Sequence, residues 1–145
     1  MKQFIDKLPI EITLHIISYT YNLQNKKLLN DIIHYKETQL LLLELYYNYW
    51  IIDREQLDDP DVDKYWLIND IFAYANNHNA IMYGYIDNFY NIFKRNISLQ
   101  TIEAIEEYVS KLKEKNVNTQ INIFLGLLTI DERNDFVTLF CPKLK

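Results

Sequence analysis

Glycine and proline are scarce in this chain, with two and three residues among 145, and there is a single cysteine. Gly84 and Gly126 stand alone, so the glycine-rich loop that cradles a phosphate is missing, and nucleotide binding by that device is excluded. Cys141 has no second cysteine with which to form an internal disulfide or a metal cluster, which fits a reducing compartment. Positive charge is also in deficit. Fifteen Lys and Arg against 20 Asp and Glu give a net charge of -5, whereas a general grip on nucleic-acid backbones needs clustered cations that release counterions. The most apolar run, LLLLELYY from Leu40 to Tyr47, falls far short of the ~20 residues that span a bilayer. The opening MKQFIDKLPIEI carries Asp6, Lys7 and Glu11 and lacks the apolar core of a secretory signal. A soluble intracellular protein is expected, with Asn96-Ile97-Ser98 left unglycosylated.

What is present favours helices. Hydrophobic residues make up 49% and charged residues 24%, enough apolar material for one core at a length where roughly 70% of the unfolded surface can be buried. Pro9 suits a first helical turn, and Ile12, Ile16 and Tyr19 follow on one face. Asn22 is expected to cap a second helix to about Tyr35 with Leu28, Leu29, Ile32 and Ile33 inward, and Thr38 a third that ends near Trp50. A fourth helix is expected from about Val62 to Asn76. Asn79 opens a fifth, AIMYGYIDNFYNIFKR, in which Met82, Ile86, Phe89 and Phe93 recur at spacings of three and four. Gly84 lies inside it, where it weakens the helix by about 1 kcal/mol relative to alanine and offers a close helix contact. Ser98 begins a sixth, striped by Leu99, Ile102, Ile105, Val109 and Leu112. Its glutamates lie early and its lysines late, which complements the helix dipole and allows a Glu107 to Lys111 pair. Two shorter helices, Thr119 to Leu128 and Asp131 to Phe140, precede Pro142. No alternating run suggests a strand.

The stretch LDDPDVDKYWLIND, Leu57 to Asp70, is the one that resembles a chemical site. Counted from Asp59, aspartates fall at positions 1, 3, 5 and 12 of a calcium loop of the EF-hand kind, which also needs a glycine at 6 and an oxygen ligand at 9. Lys64 and Leu67 occupy those two positions. Asp70 is one methylene short of the usual bidentate glutamate. Proline followed by acids is what a helix N-terminus favours, so the expected role is an acidic linker whose Asp61 or Asp63 caps the fourth helix.

Other chemistry has little support. Glu11 and His15 lie four apart and could face one another on the first helix, and His34 and His78 complete the histidines, but such pairs arise constantly on solvated helix faces. Cys141 lacks an evident activating partner. Aromatic stacking on single-stranded RNA could use Tyr83, Tyr85 and Tyr90 beside Lys94 and Arg95. That makes RNA or ribonucleoprotein binding the alternative function, with the exposure of the three tyrosines deciding it.

LPIEITLHIISY, Leu8 to Tyr19, resembles the opening of an F-box through Leu8, Pro9, Glu11, Ile12, Ile16, Ile17 and Tyr19. The resemblance implies a helical module of about forty to fifty residues that docks on the adaptor Skp1. The later LLNDIIHYKE departs from the valine, small, basic and tryptophan pattern of that family. ISYTYNLQNKKLLNDI and YWLINDIFAYANN resemble small paralogous, F-box-like proteins of giant DNA viruses related to mimivirus. This second likeness implies a viral protein acting in the cytoplasm of an infected host cell.

The expected fold is an all-α, single-domain bundle of about seven or eight helices. Residues 1–52 would form an F-box-like segment, 53–63 an acidic linker, and 64–145 a C-terminal helical segment of the same domain. No catalysis, cofactor or metal is expected. The partner is a protein, a Skp1-like adaptor or another viral or host subunit, rather than nucleic acid or membrane. Leu8, Pro9, Glu11, Ile12, Ile16 and Tyr19 are the expected contact residues.

Overall fold

The computed structural model describes residues 9–12 and 25–144, and the chain divides into two units, residues 1–33 and 34–145. In the first unit, residues 10–12 are helical, and the Ile12 N–H donates to the Pro9 carbonyl at 3.0 Å. Leu8, His15, Ile16, Ile17, Tyr19 and Asn22 lie outside the described residues.

Helix α1, Lys26–Tyr47, carries the chain from one unit into the other. Asn25 opens it by accepting the Lys27 N–H on its side chain at 3.0 Å. The two helices expected here are therefore one. Nothing between Lys26 and Tyr47 breaks a helix, and Thr38, the expected cap, is buried inside α1 with its hydroxyl 3.3 Å from His34 Nδ1 one turn back. The buried stripe is Thr38, Gln39, Leu42 and Tyr46, whereas Leu28, Leu29, Ile32 and Ile33, expected inward, are exposed. From Tyr35 onward α1 contributes side chains to the core of residues 34–145.

At Asn48–Asp53 the helix widens into a π-helix, with the Arg54 N–H donating to the Tyr49 carbonyl five residues back at 3.0 Å. The chain then crosses a loop into α2, Val62–Ala75. After α2, the buried Asn76 organises the reversal. Its amide donates to the carbonyls of Asn79 (3.0 Å) and Gly84 (3.1 Å) and accepts from the Ile86 N–H at 2.8 Å. Asn77 and His78 take left-handed backbone angles there.

The long fifth helix of the sequence reading is consequently broken. Ile81–Tyr83 forms a single 3-10 turn, Gly84 turns the chain at φ 96°, and α3 is confined to Asp87–Phe93. No atom lies within 4 Å of where a Gly84 Cβ would sit, so this glycine serves backbone geometry and not a close helix contact.

Helix α4, Ile102–Lys113, is capped by Thr101, which accepts the Ala104 N–H at 3.2 Å. Ser98 lies in the preceding turn, where its N–H donates to Asn96 Oδ1. Asn116 caps α5, Val117–Leu127, and a reciprocal Thr129–Glu132 capping box starts α6, Ile130–Phe140. A last 3-10 turn spans Cys141–Leu144.

Residues 34–145 thus form an all-helical bundle, as the periodicity predicts, with no strand among the described residues. Its centre is aromatic. Phe124 of α5 meets Phe72 of α2 at 4.9 Å and Phe93 of α3 at 5.1 Å, while Phe89 lies 6.0 Å from both Phe72 and Phe124. Leu67, Ile71, Ile105, Val109, Leu112 and Ile121 surround them. Arg133 is buried among these elements, its Nε–H donating to the Leu125 carbonyl at 2.9 Å and its guanidinium lying over the Tyr35 ring.

Candidate interaction surface

The Leu-Pro opening is described only at its start. Ile10 and Ile12 are 65% and 48% exposed, and Pro9 and Glu11 are exposed with them. Of the expected contact residues, Pro9, Glu11 and Ile12 therefore lie at the surface, while Leu8, Ile16 and Tyr19 fall outside the described residues, as does the Glu11–His15 pairing.

The acidic stretch resolves into four separate fates. Asp59 Oδ1 accepts the Asp61 N–H at 2.9 Å, closing a local turn, and Asp61 Oδ1 takes the Lys64 ammonium at 2.6 Å. Asp61 occupies the N-cap position of α2 without making a side-chain cap bond. Asp63 turns into the protein, 3% exposed, and its Oδ1 has no hydrogen-bond donor. Asp70 accepts the Tyr46 hydroxyl at 2.6 Å, and burial holds its carboxyl above the usual range against the pull of that hydrogen bond. Four aspartates that fall at loop positions 1, 3, 5 and 12 on paper thus point at four different places. Among the described residues no three His, Cys, Asp or Glu side chains stand together as metal ligands.

The tyrosines beside α3 are similarly dispersed. Tyr83 is 85% exposed, but Tyr85 stacks on Phe89 at 4.0 Å and receives the Lys113 ammonium at 2.9 Å. The Tyr90 hydroxyl donates to Glu106 at 2.7 Å, and burial followed by that bond pushes its pKa up to about 12. Arg95 is held by both Glu132 oxygens, at 2.6 and 2.7 Å, and by the Leu127 carbonyl. Tyr83 and Lys94 are thus exposed, while Tyr85 and Tyr90 are half-buried.

His34 lies between Asn134 and Thr38, His78 stacks on Phe140, and Cys141 is buried at the head of the last turn.

A different surface forms where the π-helix meets α2. Trp50 and Trp66 stack in parallel, with centroids 4.4 Å apart and planes 5° apart, and Tyr49 abuts Trp50 edge-on at 5.1 Å. Trp66 keeps 41% of its surface exposed beyond the stack, and Ile52 of the π-helix, Leu57 of the loop and Tyr65 of α2 are exposed as well. Trp50 Nε1, like Asp63 Oδ1, is buried without a hydrogen-bond partner. No protein-family model matches this sequence, and no curated protein or solved structure matches it at a significant level. Function therefore has to be read from the surface itself. Tryptophan at position 66 and aromatics at 47, 49 and 50 were visible in the sequence, but their pairing depends on the widened turn that re-aims them.

Proposed function

We propose that the chain is a non-catalytic protein-interaction module, an F-box-like adaptor or complex subunit of a virus acting in the cytoplasm of its host, with Leu8–Tyr19 as a contact surface. The observation that carries this reading is the exposure of Ile10 and Ile12 around Glu11 at a proline-started helical turn. Each square ångström of apolar surface that a partner removes from water is worth about 25 cal/mol, so two isoleucines can anchor a contact whose orientation a carboxylate sets. Tyr46, Tyr90 and Arg95 are each engaged with a separate carboxylate rather than with a shared site, which supports the same reading.

Affinity purification from host extract, with direct binding to purified Skp1 alongside, tests it. The wild-type chain is expected to retain a stable protein partner, and Ile12→Asp, an exposed position, is expected to lose it. Recovery of no stable partner, or of the same partners by the variant, overturns the reading.

A further inference from the structure

We propose that the surface made by the π-helix, the loop 54–61 and the first turns of α2 docks an arginine- and lysine-rich segment of another protein. It lies wholly within residues 34–145 and does not depend on the role given to Leu8–Tyr19.

The first argument is charge. Residues 53–63 carry six carboxylates and one cation. Asp53, Glu55 and Asp58 are exposed, and no described residue pairs with them, while the nearby cations are already engaged. Arg54 lies over the Tyr49 ring at 5.1 Å and donates to its hydroxyl at 2.8 Å, and Lys64 is bound to Asp61. A surplus of negative charge faces solvent, so phosphate backbones and anionic lipid are repelled and a cationic partner is attracted.

The second argument is the apolar floor. The parallel stack on Trp50 fixes the Trp66 ring before any partner arrives, so little rotamer freedom remains to be lost on binding. Ile52 of the π-helix, Leu57 of the loop and Tyr65 of α2 are also exposed. Acids beside an aromatic face suit a guanidinium in particular, which can lie flat on the ring while its N–H groups reach carboxylates.

Asp63, one helical turn before Trp66, is turned into the protein, and its charge adds to the same negative field without being a contact group.

A second copy of this chain carries the same net charge of -5, so its approach to this acidic surface is opposed, which favours a different, cationic protein as the occupant.

The test uses the full chain and a fluorescein-labelled dodecapeptide of alternating arginine and alanine, with the glutamate counterpart as control. Anisotropy at low salt is expected to show saturable binding of the arginine peptide only, with quenching of tryptophan emission and an affinity that falls as salt is raised. The exposed triple variant Asp53→Asn/Glu55→Gln/Asp58→Asn is expected to bind about tenfold more weakly or worse, and Trp66→Phe a few-fold more weakly, each with an unchanged far-ultraviolet dichroism spectrum. Ile12→Asp is expected to bind as the wild type does, which separates this surface from the Leu-Pro opening. Absence of saturable binding, equal binding by the triple variant, equal binding of the glutamate peptide, or self-association that the arginine peptide does not displace overturns the proposal.

Discussion

Single residues in this protein are set by their partners more than by their type. Glu132 illustrates it, since it closes the capping box of α6 and also clamps Arg95 through both oxygens. Burial pushes its carboxyl up, but the Arg95 and Thr129 bonds outweigh that and hold it below its ordinary value of 4.5. A depressed folded pKa means stability that is present above the ordinary value and is lost as pH falls through the folded one. Glu132→Gln keeps an acceptor for the cap and removes the ion pair, so the variant should be less stable than wild type by about 0.5–1 kcal/mol at neutral pH, allowing for the partial exposure of Arg95. The difference should vanish in acid, well below pH 4.5. Urea midpoints of both proteins at the two pH values measure it, and a difference that persists in acid would contradict the assignment. Asp70 acts with the opposite sign. Burial raises its pKa, so its contribution favours the fold while it is protonated and is lost as pH rises through that raised value. Asn76 is the residue that the sequence left least legible, because a buried asparagine that bonds three backbone groups looks the same in a string as its exposed neighbour Asn77.

At the scale of elements, the helical stripes were legible and their ends less so. Ile105, Val109 and Leu112 are buried along α4 as the 3.6-residue spacing predicts. Thr129 and Glu132 hold the capping-box spacing, and both halves of the box are made. The ends misread were those without a breaker in the chain or with a lone glycine inside an apolar stripe. Between Lys26 and Tyr47 no glycine or proline interrupts the chain, so Thr38 sits inside a continuous helix. Around Gly84 the backbone requirement prevails over the apolar spacing. Its φ of 96° and ψ of 176° belong to a region nearly closed to residues with a Cβ, while the space around it is open. Gly84→Ala should therefore destabilise through the backbone alone, by about 1–3 kcal/mol. Chemical denaturation checks it, and a variant as stable as wild type would show that the turn can relax.

On the scale of the whole molecule, the aromatic centre ties four helices of residues 34–145 into one cooperative body. Phe124 is fully buried among Phe72, Phe89 and Phe93, and Phe124→Ala should cost about 3–5 kcal/mol, a large part of the 5–15 kcal/mol that usually holds a domain together. Trp50 and Trp66 lie in the same unit. Tryptophan emission and helix dichroism should then shift to lower urea together, and a separate tryptophan transition would show that the stack unfolds on its own. Helix content and the apolar faces of α4 and α5 follow from local spacing and propensity, which act within a few residues and can be read along the chain. Which aspartate is buried, which tyrosine is tied to a neighbour, and where two tryptophans meet depend on groups far apart in the chain, 16 positions between Tyr90 and Glu106 and 37 between Arg95 and Glu132. Such pairings arise only when helices pack, because burial and hydrogen-bond geometry are properties of the assembled surface and not of any segment.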